Sequence, residues 1–343
     1  MPNNNIRLII EKNIPFVKGL LDPYATVQYL APEDITPKAV REIDGMVIRT
    51  RTRCDEALLA KSECKMIATA TIGTDHIDKD YCKRRSITVV NAPGCNAPAV
   101  AQYVFATLLN VINRPLNTYT IGIVGVGHVG SIVEQWARSL EMKVLRCDPP
   151  RQRAEGGDGW ADLDTLAREA DIITFHTPLT REGDDATYHI ADAEFFKKLR
   201  RAPIIINSAR GEIVDTPAIV EARKNGLTGP LIIDCWEHEP AIDRELLKLA
   251  HIATPHIAGY SSEGKIRASQ VVMDAITTFF MIPRVTVTND LPPAPARAVS
   301  INGILDSYNP LPESEFLKRN PDQFENLRNN YPLRHEAPEK RGL

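Results

Sequence analysis

Three short segments carry side chains whose types suit proton and hydride chemistry. TPHIAGYSSEGK (254–265) sets His256 after a proline, where the chain has left an expected strand and not yet begun an expected helix. INSARGEIVD (206–215) sets Arg210 just past an apolar run and before Gly211, and DCWEHEP (234–240) closes another apolar run with Asp234, Glu237 and Glu239. Each is ambiguous alone: a hydrogen-bonded surface imidazole, a guanidinium paired with Glu212 or Asp215, a solvated charged turn. Together they suit the oxidation of a 2-hydroxy acid. A guanidinium grips a carboxylate through two parallel hydrogen bonds, the role open to Arg210. An imidazole can take a hydroxyl proton as hydride leaves the same carbon, the role open to His256. A carboxylate beside that ring selects its tautomer and stabilises the imidazolium, the role open to Glu239.

Hydride needs an acceptor, and GVGHVG (125–130) supplies a place for one. The pattern G-x-G-x-x-G is weak by itself, but here it follows the apolar run YTIGIV and opens the helix-like HVGSIVEQW, the context it requires. Gly125 permits the tight turn, Gly127 the approach of a pyrophosphate, and Gly130 close packing of helix on strand. Free N–H groups at the helix start attract the anion. Asp148 closes the next strand, MKVLRC, where an acid can accept from the adenosine ribose and repel a 2′-phosphate. That favours NAD over NADP, although Arg151 and Arg153 stand close by. His128, inside the loop, reads as a surface position.

These residues need a scaffold that brings distant loops together. Strands are expected at 7–10, 26–30, 45–50, 65–70 and 87–91, and again at 119–125, 142–147, 171–177, 203–209 and 229–236. Runs such as IGIVGV and PIIIN are apolar without alternation, as in parallel strands covered on both faces. Helix-like stretches lie between them, among them 131–140 and 216–226. Repeated β-α units imply an α/β fold with two doubly wound parallel sheets, and ligands in such sheets lie beyond the carboxyl ends of the strands. The turn-rich NAPGCNAP (91–98) marks the crossing between domains before a long helix at 99–113, and a second long helix follows Gly259. After Pro283 the composition turns to Pro, Asn and charge (LPPAPARA, YNPLPESEF, NPDQF), which suggests an interaction appendage or a partly disordered tail. GMVIRTRTRC spaces Arg49, Arg51 and Arg53 two apart, so continued strand geometry would put all three on one face. Arg49 is the first candidate to hold a phosphate if the substrate carries one; the other reading is an exposed basic stretch after a strand.

Over roughly its first 280 residues the chain resembles the D-isomer-specific 2-hydroxyacid dehydrogenases: GVGHVG, the Arg of NSARGEIVD, the second Glu of WEHEP and the His of TPHIAGY stand in that family's order. ATATIGTDHID (68–78), NAPGCNA (91–97), CDPPR (147–151) and TFHTPLT (174–180) narrow the resemblance to a branch acting on a phosphorylated four-carbon hydroxy acid. QFENLRNNYPLRHE (323–336) is similar to the end of that branch's C-terminal dimerisation region. The resemblance implies a flavodoxin-like substrate domain (1–95 and 257–283), a Rossmann NAD domain (96–256), a small C-terminal dimerisation region or tail (284–343) and a homodimer. It further implies catalysis by Arg210, Glu239 and His256, NAD contacts from Asp148, Thr177, Ser208, Ala209, Arg210, Asp234 and Gly259, and substrate contacts from Thr50, Thr71 and Tyr260. Thr50 stands where the family usually has Ser, and the tail is shorter than usual. The alternatives are a related dehydrogenase for 3-phosphoglycerate or an unphosphorylated hydroxy acid, and a non-catalytic NAD-sensing protein that keeps the fold.

Composition narrows the class further. A formal charge of −3 over 343 residues argues against general nucleic-acid binding. Apolar residues at 43% and charged residues at 25% suit a globular protein, and the longest apolar stretch, VVMDAITTFFMI, is broken by Asp274, so no membrane partner is expected. MPNNNIRLIIEKN lacks the pattern of a signal peptide. Six cysteines without a C-x-x-C pair read as buried reduced thiols of a cytoplasmic protein, and no metal site is expected from them.

Overall fold

The structure is a computed structural model that describes residues 6–288 and 299–336. The chain divides into two compact units, 1–96 with 262–293, and 97–261 with 294–343. In the first, strands β1 (Arg7–Glu11), β2 (Thr26–Leu30), β3 (Gly45–Ile48), β4 (Met66–Thr69) and β5 (Thr88–Asn91) form a parallel sheet in the order β2-β1-β3-β4-β5. The central strands are buried along their length and the edge strands β2 and β5 are not, which is why only the former read as unbroken apolar runs. Alternate residues of the sheet enter two cores: Leu8, Ile10, Val47 and Ala68 one of them, Ile9, Met46, Ile48 and Ile67 the other. The helix Ser262–Phe279 packs Ala268, Val272, Met273 and Ile276 into the first of these.

The second unit holds β6 (Thr120–Val124), β7 (Lys143–Cys147), β8 (Ile172–Phe175), β9 (Ile204–Asn207), β10 (Leu231–Ile233) and β11 (Ile252–Ala253). They pair in parallel in the order β11-β10-β9-β8-β6-β7. A single parallel bridge from Arg146 to Trp160 extends the sheet beyond β7, so the Rossmann order survives with its outermost strand reduced to one residue. The strand order reverses between β6 and β8, the point at which such sheets hold their ligand. Phe175, Ile205 and Ile233 face one core, and Ile204, Ile206 and Ile232 face the other. Many helices of both units start on an aspartate whose side chain accepts a backbone N–H of the first turn, as at Asp78, Asp162, Asp192, Asp215 and Asp243.

Several expectations need correction. The strand expected through residue 50 ends at Ile48, so Arg49, Arg51 and Arg53 do not share a strand face, and Arg53 turns to Asp55 at 2.7 Å. The strands expected to 177, 209 and 236 end at Phe175, Asn207 and Ile233, where the chain leaves the covered part of the sheet. β11, two residues long, was too short to show a pattern. The expected separate C-terminal region divides instead. Val285 and Val287 join the core of the first unit, while Ile304, Tyr308, Leu317 and Phe324 are buried in the cores of the second. LPPAPARA lies outside the described residues. Residues 257–261, expected in the substrate domain, belong to the second unit. All six cysteines are buried and unbridged, and among the described residues no helix is long and apolar enough to cross a membrane.

Phe175 is fully buried at the carboxyl end of β8, its ring edge-on to Phe195 at 6.4 Å. Phe175→Ala is expected to destabilise the second unit by about 3–5 kcal/mol, read from the shift of its denaturant midpoint.

Candidate functional site

The loops beyond the carboxyl ends of β6 to β11 carry most of the chemistry. Gly125 follows β6 with φ +86°, and a Cβ there would lie 2.8 Å from the backbone of His176. A Cβ on Gly130 would fall 2.1 Å from the Gly125 carbonyl, so helix His128–Ser139 can approach β6 only because that atom is missing. Gly127 is different: a Cβ there meets nothing, so the protein itself makes no demand for glycine at this position. An open space above a helix N-terminus is what a pyrophosphate would occupy. His128 is exposed at the helix start.

Asp148 follows β7 and accepts the N–H of Val126 at 2.8 Å and of Arg151 at 3.0 Å, tying the glycine turn to the neighbouring strand end. The two arginines that clouded the choice of nucleotide have other partners. Arg151 donates to the Val126 carbonyl, to Ser131 and to Glu155, and Arg153 pairs with Asp185. Neither is held ready for a 2′-phosphate. Beyond β8 and β9, the hydroxyls of Thr177 and Ser208 are buried with no hydrogen-bond partner. Orphaned buried hydroxyls are uncommon, and two at neighbouring strand ends fit polar groups of a bound nucleotide. With the open Gly127 cradle, they make the residues present a good match for NAD.

Arg210 stands three residues past β9, its backbone carbonyl held by the Asn207 amide at 2.9 Å. A Cβ on Gly211 would sit 2.0 Å from the Trp236 carbonyl, so the loops after β9 and β10 touch backbone to backbone there. That contact brings Arg210 within electrostatic reach of Cys235. Ala209 is buried and takes the Arg210 guanidinium on its carbonyl at 2.8 Å.

Asp234, expected as an NAD contact, also holds the chain around it. Its carboxylate is fully buried and accepts from Thr254 Oγ1 at 2.7 Å and from the N–H groups of Ile257 at 2.8 Å and Ala258 at 2.9 Å. Burial raises its pKa, against the pull of His256 and of these donors. Its contacts pin the loop that carries His256, whose backbone has φ +58°. The imidazole donates from Nδ1 to Glu239, 2.8 Å from Oε2 and 3.0 Å from Oε1, which leaves Nε2 as the nitrogen for proton exchange. Glu239 Oε1 also accepts the Trp236 N–H at 2.9 Å. Burial works to raise the Glu239 pKa, but His256, Trp236 and Arg328 outweigh it and hold the carboxyl below its usual range. Glu237 faces elsewhere, accepting from His189 at 2.7 Å and from the Thr216 N–H at 2.9 Å.

Cys235, Glu239 and His256 each bring a potential metal-ligating atom within 4.8 Å of the others. Burial pushes the Cys235 thiol far up, so it stays protonated, and the other two groups are bonded to each other. The set reads as an oriented acid–base pair. Gly259 lies in the turn closed by Tyr260 N–H on the Ile257 carbonyl, and the Tyr260 ring meets Tyr331 edge-on at 6.1 Å.

In the first unit, Glu11 is buried at the end of β1 and accepts the Arg49 N–H at 2.9 Å and Thr52 Oγ1 at 3.2 Å. It shapes the loop that leaves Thr50 exposed and gives the Arg49 guanidinium the Asn13 carbonyl at 3.4 Å. Thr71 sits past β4, its hydroxyl 2.7 Å from Thr69 and donating to the Gly73 carbonyl at 3.0 Å. Glu11 and Arg328 escaped the sequence reading. An acid ending a strand and a basic residue in a polar segment are both common, and only spatial proximity marks them.

Comparison with known proteins agrees with this geometry. Residues 103–258 match the family model described as D-isomer specific 2-hydroxyacid dehydrogenase, NAD binding domain. The erythronate-4-phosphate dehydrogenase of Bacteroides thetaiotaomicron is 45% identical over 341 residues, covering 96% of this chain and 97% of that protein. Among solved structures, D-lactate dehydrogenase from Aquifex aeolicus complexed with NAD and lactic acid superposes with a TM-score of 0.70 at 27% identity, over 80% of this chain and 95% of that one. NAD+-bound 3-phosphoglycerate dehydrogenase from Entamoeba histolytica gives 0.68 at 25% identity, over 84% and 100%.

The second and third glycines of the turn separate ligand binding from packing. Gly127→Ala is expected to keep the thermal midpoint while weakening NAD about tenfold, and Gly130→Ala to lower the midpoint itself; NAD titration and thermal unfolding of both variants check this.

Proposed function

The chain belongs to the erythronate-4-phosphate dehydrogenase family of D-isomer-specific 2-hydroxyacid dehydrogenases, and from that premise we propose that it oxidises 4-phospho-D-erythronate at C2 to 2-oxo-3-hydroxy-4-phosphobutanoate, a step toward pyridoxal 5′-phosphate. The observation that carries this reading is the His256–Glu239 pair, with Nδ1 donating to the carboxylate at 2.8 Å, in a unit that also holds Arg210 and the glycine turn. NAD, when bound, supplies the acceptor for the hydride that leaves C2, and the glycine turn, Asp148, Thr177, Ser208, Ala209, Arg210, Asp234 and Gly259 are the residues that would hold it. Arg210 grips the substrate carboxylate and aligns C2. His256 Nε2 takes the C2 hydroxyl proton as the carbonyl forms. Glu239, ionised across the working range, stabilises the resulting imidazolium and keeps Nδ1 protonated.

For the substrate itself we take Thr50, Thr71, Tyr260 and Arg49 as contacts. Arg49 is the candidate for the phosphate, because its guanidinium makes an exposed, long bond of 3.4 Å to the Asn13 carbonyl. Buried reduced thiols suit the cytoplasm, and the resemblance of the C-terminal segment to a dimerisation region supports a homodimer.

NADH formation with 4-phosphoerythronate, 3-phosphoglycerate and D-lactate in parallel tests the assignment. 4-Phosphoerythronate is expected to lead by about 100-fold or more in kcat/KM. His256→Asn is expected to abolish turnover with NAD affinity unchanged, and retention of most of kcat would place the base elsewhere. No turnover with any substrate, alongside tight NAD binding, would instead indicate a binding protein that senses the nucleotide. Arg49→Gln is expected to raise KM for the phosphorylated substrate far more than for an unphosphorylated analogue. Equal effects on both would remove Arg49 from that role.

A further inference from the structure

The C-terminal segment places a second cation on the acid–base pair. Arg328, on the helix Phe324–Asn329, donates from NH1 to Glu239 Oε2 at 3.4 Å, the same oxygen that faces His256 Nδ1 at 2.8 Å. Its guanidinium also hydrogen-bonds Tyr260, and its side chain is 22% exposed, so solvent screens the pair only in part. The segment is firmly held. Phe324 is buried in the core, and Arg334 donates to the carbonyls of Ala99 at 3.1 Å, Ile257 at 3.1 Å and Tyr260 at 3.0 Å. The Arg334 guanidinium also lies over the Tyr308 ring, and Ser261 donates to Glu336 at 2.7 Å. Residues 324–336 are therefore clamped along the backbone of the loop that carries His256.

We propose that Arg328 is a positioning residue of the active site: it holds Glu239 by the oxygen shared with His256 and limits how far that carboxylate stabilises the imidazolium. Two cations compete for one carboxylate, and the permanently charged one reduces what the other gains. The other charged or titratable groups around the pair are Arg210 after β9, Asp234 and Cys235 after β10, and Tyr260 of the histidine's own loop. Asp234 is engaged by Thr254 and backbone N–H groups, and burial keeps the Cys235 thiol neutral. Arg328 is thus the group whose removal changes the charge felt by Glu239 without touching the carboxylate clamp or the loop-pinning acid. With it gone, the imidazolium is better stabilised and His256 keeps its proton to higher pH. Oxidation needs the neutral ring, so the acid limb of kcat/KM moves upward.

The kinetic meaning of this inference rests on the dehydrogenase reading, but its charge effect can be measured without turnover. The full-length protein, labelled with ¹⁵N-histidine, is titrated by NMR, with His256→Asn identifying the signal. Arg328→Gln is expected to raise the His256 midpoint by about one pH unit, and Arg328→Lys, which keeps the charge, to leave it within about 0.3 unit of the parent. The acid limb of kcat/KM should move in step. NAD binding checks that each variant is folded, and Arg328→Lys decides the matter if Arg328→Gln is not. An unshifted midpoint in Arg328→Gln, or a rise in Arg328→Lys as large as that expected for lost charge, would overturn the proposal. A parent protein that turns over no substrate yet shows the expected midpoints would count against the dehydrogenase reading and leave the role of Arg328 standing.

Discussion

A carboxylate without contact with water organises the catalytic loop of the second unit. Removing a charge from solvent costs several kcal/mol unless donors replace the water, and Asp234 finds them in Thr254, Ile257 and Ala258. Those donors come from both sides of His256, so satisfying the acid and shaping the loop are one event. The left-handed backbone at His256, worth about 1–3 kcal/mol of strain, persists because its neighbours are bonded to one buried group. Thr254 extends the arrangement, since its hydroxyl also meets Tyr103 at 2.7 Å and its carbonyl accepts Trp236 Nε1 at 2.9 Å. The imidazole is placed by its backbone as well as by the Glu239 carboxylate on its ring.

Around that loop the charges are divided by task. Arg151 and Arg153 are occupied by local partners, so their nearness to Asp148 in sequence has no bearing on a 2′-phosphate. Arg334 spends its guanidinium on backbone carbonyls, where a planar fork with five donors serves better than a lysine. Glu237 and Glu239, two residues apart, face different histidines. The solved dehydrogenases compared above cover 80% and 84% of this chain while being almost wholly covered themselves, whereas the Bacteroides relative spans 96% of it. The extra length is therefore shared with the erythronate-4-phosphate dehydrogenase relative and not with those two structures, and residues 299–336 pack into the unit that carries the acid–base pair.

Much of this was legible in the amino-acid order. Parallel strands buried on both faces are apolar at nearly every position, so β3, β4, β6, β8, β9 and β10 announce themselves as apolar runs broken by little more than a buried threonine or asparagine. Gly130 is set by a steric demand local to one strand–turn–helix unit that is contiguous in sequence, whereas Gly125, legible in the same pattern, is crowded by His176 and Thr177 from beyond β8. Arg210, Glu239 and His256 could be singled out because each follows a strand of the same sheet, and loops at one end of a sheet converge. What the order of residues could not disclose was which charged group meets which. The Asp234 carboxylate looks outward on paper and is buried in fact, and Arg328, 89 residues from Glu239 along the chain, reaches it only through the folded C-terminal segment. Backbone periodicity is a local property, and sequence by itself determined it; the pairing of charges depends on distances across the fold, and only the tertiary structure decided those.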